Sequence, residues 1–201
     1  MRYHQAFAEH FTVYAPSHPG YEPSERPAWL DTMTDMAYFY HNCIDTLGLE
    51  QPAIMGTSMG GWLAAEIVAM CPHHLRRSVL VDAVGIKLEV GESAEVLMCS
   101  RQEAASLRFY DTNQVPNYEA LFNRGLTPEA RDVQCRNQEI ATRLCWRPDM
   151  HNPKLPYYLR RVQTPTLVVW GRQDAIVPLN CGEIYARELP NATLITQLLP
   201  L

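Results

Sequence analysis

The stretch "PAIMGTSMGGWLAAEIVAM", residues 52–70, decides how the chain is to be read. Its apolar start reads as a strand, and its small, apolar end reads as a helix closed by Pro72. Between them Gly56-Thr57-Ser58-Met59-Gly60 fits G-x-S-x-G, the turn that holds a serine at the end of a strand and the start of a helix. The bare pattern is a weak signal alone; its setting between a strand and a small-residue helix is one that chance rarely supplies. A hydroxyl held there stands over a helix N-terminus. The Met59 backbone N–H and the helix dipole are then placed to stabilise a developing oxyanion.

The elements around this stretch repeat one scheme. Residues 3–11 read as a short amphipathic helix and "FTVYAP" (11–16) as a buried strand. The proline- and glycine-punctuated 17–27 is a loop, and 32–49 a helix ending at Gly48. Further strands are expected at 77–85, 164–171 and 191–199, with a helix near 179–188. Strands alternating with helices predict an α/β fold with a mostly parallel sheet covered on both faces. From 86 to 150 the alternation gives way to polar helical segments, as an inserted helical cap would produce. The expected organisation is therefore a core in two pieces, 1–85 and 151–201, with a cap at 86–150 between them.

Composition narrows the function classes. The 201 residues suit one domain, and a net charge of −5 with scattered basic residues gives no footprint for nucleic acid or an anionic membrane. No apolar run has the length of a membrane span. The six cysteines form no C-x-x-C pair, and the first residues show no secretory pattern, so the chain reads as cytoplasmic with reduced thiols. Cys71, His73 and His74 lie close in sequence; at a helix end the histidines read as a solvated pair complementing the dipole rather than as metal ligands. No metal or organic cofactor is expected.

Together with "VYAPSHPGYEPSERP", "VLVDAVGIK" and "TPTLVVWGRQDAIVP", the elbow resembles the α/β-hydrolase family, in particular its capped serine hydrolases acting on small esters and, in some members, carbon–carbon bonds. The resemblance covers nearly the whole chain. It implies Ser58 as nucleophile, Asp174 as the acid that orients the base, and the Met59 N–H as one oxyanion donor. Asp82, at the end of another strand, is a rival acid better read as a hydrogen-bonding or capping residue. A serine at position 58 sets the chain apart from the members of the fold that use aspartate there.

The same resemblance implies parts not seen in these residues. The family's first strands, its second oxyanion loop and the histidine after the acid have no counterpart, since no histidine follows Asp174. The chain is thus expected to be part of a longer hydrolase and impaired as it stands. The alternative is a non-catalytic, hydrolase-like binding protein. His18 and His151 are the candidates for a substituted base; His4, His10 and His41 lie on helices expected outside the sheet, and His73 and His74 at the far end of the helix behind Ser58. Two strands left without a neighbour would leave apolar edges open to self-association. The expected partner is a small ester or acyl compound selected by the cap, whose Phe109, Tyr110, Tyr118, Phe122, Leu144 and Trp146 read mostly as packing and solvated helix faces rather than ligand contacts, with Arg101, Arg108, Arg143 and Arg147 available for a carboxylate.

Overall fold

The computed structural model describes residues 2–91, 93–119, 122 and 125–197, with the side chains of residues 2 and 101 left aside. The elements run α1 (Arg2–Ala8), α2 (Met33–Thr46), β1 (Ala53–Thr57), α3 (Met59–Met70), β2 (Arg77–Val81), α4 (Arg101–Leu107), α5 (Pro128–Cys145), α6 (Leu155–Leu159), β3 (Thr166–Gly171), α7 (Leu179–Glu188) and β4 (Ala192–Gln197). The strands form one parallel sheet in the order β1-β2-β3-β4.

Helix boundaries follow from local chemistry. Thr32 caps α2 by accepting from the Asp35 amide, while the Asp35 carboxylate accepts from the Thr32 amide in return. Ser100 and Glu103 make the same reciprocal cap on α4. Helix α3 has no polar face, and Gly61 through Ala69 are all buried. A helix apolar all round but for one hydrogen-bonded glutamate, Glu66, has to be enclosed. Here β1 and β2 pack on one side of α3, and α2 and α6 complete its surroundings.

Register places Gly56, Leu80, Val168 and Leu194 side by side on the strand face that α3 and α7 cover. The intervening row, Met55, Val79, Leu167 and Thr193, is half-buried or exposed. Coverage of both faces was expected, but the burial alternates along each strand, so the two faces are unequal.

The sequence reading fails at "FTVYAP". Residues 11–16 join no strand, and Phe11, Val13 and Tyr14 are exposed. A strand is stable only when its backbone groups find a ladder. Among the described residues β1 is the edge of the sheet, with Met55 exposed on it, and 11–16 does not pair with it. Strand β2 also ends earlier than expected, because Asp82 turns the chain with φ +43°.

Residues 86–150 add no strand to the sheet among the described residues. They cross its carboxyl end instead. The Ala94 amide donates to the Ile176 carbonyl at 3.0 Å, and α5 docks on the 20–31 loop through Arg136–Glu22 and Arg143–Asp31 at 3.1 and 3.3 Å. Gly20 makes room for α5: its φ is +84°, and a Cβ there would lie 2.9 Å from the Ile140 side chain. Of the expected cap residues, Leu144 is buried in the core. Phe109, Tyr118 and Phe122 form an aromatic cluster, and Tyr110 and Trp146 are exposed.

Candidate active site

Three adjacent strand ends carry the candidate groups. Ser58 follows β1, Asp82 follows β2, and Asp174 lies three residues past β3. Parallel sheets gather ligands at this edge, because loops and helix N-termini converge there.

Ser58 adopts φ +54° and ψ −118°, a conformation that side chains rarely tolerate. The surroundings hold it in place. Its amide donates to the Val81 carbonyl of β2 at 2.9 Å, and its carbonyl accepts from the amides of Gly61, Trp62 and Val84 at 3.0, 3.1 and 3.3 Å. The turn is tight enough that a Cβ on Gly56 would lie 1.9 Å from the Gly60 oxygen, and one on Gly61 would lie 2.5 Å from Ala83 Cβ. Gly60 itself faces open space. As the first residue of α3, Met59 has an amide with no intrahelical acceptor, which leaves it available to an oxyanion.

Asp174 belongs to a tight loop. Its Oδ1 accepts from the Ile176 and Val177 amides, each at 2.8 Å, and its own amide donates to Gly171. Among the described residues no donor occupies Oδ2. Asp82 bridges two strands: its amide donates to Val169 at 3.0 Å, and its Oδ1 accepts from the Gly171 amide at 2.8 Å. Burial pushes both carboxyls above the ordinary range, and at Asp82 the charge of Asp174 adds to it. The same burial, with Asp174 beside it, takes the Cys181 thiol up to about 12. Neither carboxylate has a cationic partner among the described residues, so the site disfavours its own negative charge and favours a cation arriving between them.

None of the described histidines is hydrogen-bonded to Ser58. His18 Nδ1 pairs with the Tyr40 hydroxyl at 2.6 Å, and burial holds its ring below the usual histidine range. Its ring packs edge-on to Tyr21, whose hydroxyl donates to Met59 Sδ at 3.7 Å, so His18 is two contacts from the elbow. His151 donates from Nδ1 to the Asp149 carbonyl at 2.7 Å. It lines a groove of about 560 Å³ along α3 with Trp62, Glu66, Arg147 and Lys154, a groove that includes neither Ser58 nor Asp174. His41, on α2 outside the sheet as expected, is buried against the far end of α3, and its Nε2 lies 3.0 Å from the Ile67 carbonyl.

Glu66 is a buried carboxylate that the sequence reading passed over, although a glutamate within "WLAAEIVAM" was a signal. Its Oε1 accepts from Trp62 Nε1 at 3.0 Å and Asn152 Nδ2 at 2.7 Å, which ties α3 to the 147–154 segment. Burial raises its pKa, and the two hydrogen bonds offset part of that shift. A group that binds its proton more readily in the fold contributes its full stability below the unfolded carboxylate range, and that contribution is lost as pH rises through the folded value. Glu66→Gln keeps the acceptor and removes the charge. The variant is expected to have the higher urea midpoint at pH 7, with the gap closing below about pH 4. A gap independent of pH would assign the effect to packing.

Residues 3–137 match the family model described as the alpha/beta hydrolase fold. The chain belongs to this family. Among relatives of this alpha/beta hydrolase, the 2-hydroxymuconate semialdehyde hydrolase of Pseudomonas putida is 28% identical over 205 residues, covering 90% of this chain and 67% of that protein. The 2-hydroxy-6-oxononadienedioate/2-hydroxy-6-oxononatrienedioate hydrolase 2 of Pseudomonas putida is 26% identical over 193 residues, covering 88% of this chain and 65% of that protein. The solved 2-hydroxy-6-oxo-6-phenylhexa-2,4-dienoate hydrolase of Rhodococcus sp. strain RHA1 superposes with a TM-score of 0.74 at 24% identity, over 96% of this chain and 73% of that one. The chain thus spans about two thirds of the length of the curated relatives it matches. All six cysteines are free thiols, and no described helix is long and apolar enough to cross a membrane.

Proposed function

We propose that this alpha/beta hydrolase works as a serine hydrolase on a small acyl compound, with Ser58 as nucleophile. The observation that carries the reading is the Ser58 backbone, held at φ +54° between β1 and α3 by four hydrogen bonds. Strain of this kind persists only where the surroundings over-determine it, and it clusters at functional sites. In this reading the Ser58 hydroxyl attacks a carbonyl carbon and passes its proton to an imidazole. The Met59 amide receives the negative charge that develops on the carbonyl oxygen; the bond to the leaving group then breaks, the leaving group takes the imidazolium proton, and the acyl group stays on Ser58 until water, deprotonated by the same imidazole, removes it. Asp174 orients that imidazole through Oδ2, since Oδ1 is committed to its own loop. Two carboxyls without a cationic partner stabilise the imidazolium formed at the same moment. Strands two apart lie about 10 Å from each other, and one imidazole with a hydrogen bond at each nitrogen spans roughly 8 Å of that, leaving the remainder to the reach of the two side chains.

The names of the relatives favour carbon–carbon bond cleavage in a hydroxy-oxo-dienoate over ester hydrolysis. Residues 86–150, crossing the carboxyl end of the sheet, would then act as the cap that selects the substrate. A second reading, a hydrolase-like chain that binds without catalysis, is favoured by one observation: no described histidine is hydrogen-bonded to Ser58.

Intact-mass measurement after fluorophosphonate treatment separates the two. The catalytic reading expects one adduct per wild-type chain and none on Ser58→Ala. His18→Ala and His151→Ala test the two candidate bases: loss of whichever imidazole serves Ser58 is expected to slow labelling by about 100-fold or more. A folded wild-type chain that takes up no adduct would leave the binding reading.

A further inference from the structure

At the end of α3 opposite Ser58, three side chains from two parts of the sequence converge. His41 comes from α2, Cys71 closes α3, and His74 ends a 3-10 turn that runs Pro72–His74. One ligand atom from each lies within 4.8 Å of the other two. In sequence His73 and His74 read as a solvated pair. The turn separates them: residues three apart on a 3-10 turn eclipse each other, which brings Cys71 and His74 to one side and leaves His73 off it.

His41 supplies the independent observation. Its side chain is 93% buried, with Nε2 3.0 Å from the Ile67 carbonyl. A carbonyl can only accept, so Nε2 carries the hydrogen and Nδ1 carries the lone pair. Nδ1 is buried with no hydrogen-bond partner. A buried polar atom left unpaired is costly and calls for an explanation. A ring that donates one nitrogen to a backbone carbonyl and presents the other as a bare lone pair is also how a metal-binding imidazole is fixed in its tautomer. Burial further favours the neutral ring.

We propose that His41 Nδ1, Cys71 Sγ and the His74 imidazole form a binding site for a divalent cation of the zinc class, with water completing a tetrahedron. Nitrogen and thiolate sulfur suit that class rather than calcium or magnesium, which take oxygen. Ligand atoms around a tetrahedral zinc lie roughly 3.3–3.8 Å apart, given bonds of about 2.0–2.3 Å. Closing from 4.8 Å therefore needs a movement of about 1 Å, and exposed His74 has the freedom to make it. Binding converts the Cys71 thiol to thiolate and releases its proton to solvent. The bound cation would pin the second half of α2 to the end of α3, far along the helix from Ser58.

The test is Co²⁺ titration of the reduced full chain under anaerobic conditions, read by the near-ultraviolet thiolate-to-cobalt band and the visible bands of tetrahedral cobalt. The expected result is saturation at one Co²⁺ per chain, displacement by Zn²⁺, loss of the thiolate band in Cys71→Ser, and at least tenfold weaker binding in His74→Ala. His74 is exposed, so its variant keeps the fold and the comparison remains interpretable. His73→Ala and Cys135→Ser, which alter residues outside the cluster, are expected to bind as wild type does. Absence of the thiolate band at millimolar Co²⁺, its survival in Cys71→Ser, or equal affinity in His74→Ala and wild type would each overturn the proposal.

Discussion

Gly56→Ala is expected to lower the stability of the fold by about 3 kcal/mol or more, whereas Gly60→Ala leaves it unchanged or raises it by up to ~1 kcal/mol. The two glycines flank Ser58 in one motif, and a sequence pattern treats them alike. The geometry does not. A Cβ at position 56 would sit 1.9 Å from the Gly60 oxygen, 2.3 Å from its carbonyl carbon and 2.7 Å from the Gly61 nitrogen. All three are backbone atoms of the first turn of α3, so no side chain can rotate aside. Relief would require α3 to move away from β1, and that would break the hydrogen bonds that hold the Ser58 carbonyl. Overpacking in a core typically costs about 1–3 kcal/mol, and a clash against backbone belongs at or above the top of that range. At position 60 nothing lies within 4 Å of the added atom, and the backbone has no positive φ. Alanine there narrows the unfolded ensemble and favours the helix. Urea midpoints followed by far-ultraviolet circular dichroism check the pair. Equal losses in both variants would mean that the tightness of the elbow is not what fixes these residues.

The same contrast shows which parts of the molecule are legible in sequence. The elbow is local: strand, turn and helix are consecutive, so apolar periodicity and glycine spacing were enough to find Ser58. The strands β1, β2, β3 and β4 announce themselves for a related reason, since each is a short apolar run bounded by turn residues. "FTVYAP" has the same appearance and is not a strand, because pairing depends on a neighbour that periodicity cannot supply. The position of Asp174 in the loop after β3 follows from the family resemblance together with the apolar run before it. That Asp82 anchors the Gly171 amide, three residues before Asp174, is not legible there, because the contact joins residues 89 apart in sequence. The cluster of His41, Cys71 and His74 was hidden in two ways. His41 comes from another helix, and the spacing that pairs Cys71 with His74 rather than His73 is set by a single turn of 3-10 geometry.

Trp170→Ala is the second substitution with a large expected effect, a loss of about 3–5 kcal/mol, and Trp170→Phe is expected to recover part of it. Trp170 is fully buried in β3. Gly182 of α7 lies against its ring so closely that a Cβ there would be 2.6 Å from Cε3, and the Tyr185 ring follows at 6.3 Å. Truncation to alanine therefore opens a cavity between β3 and α7 that neighbours fixed by backbone contact cannot fill. The indole also holds the acid loop. Trp170 Nε1 donates to the Val177 carbonyl at 2.9 Å, while the Val177 amide donates to Asp174 Oδ1 at 2.8 Å. Both polar groups of Val177 are thus occupied, one by the core and one by the proposed catalytic acid. Phenylalanine restores most of the volume but leaves a buried carbonyl without its donor, a loss of about 1–3 kcal/mol. If the loop is positioned by that bond, Trp170→Phe should fold cooperatively, with a urea midpoint between those of wild type and Trp170→Ala. It should also be labelled by fluorophosphonate more slowly than wild type, because Asp174 Oδ2 is no longer held at one place. A phenylalanine variant that matches wild type in both midpoint and labelling rate would show that the indole serves only as volume. Asp174 would then be positioned by its own two amide bonds alone.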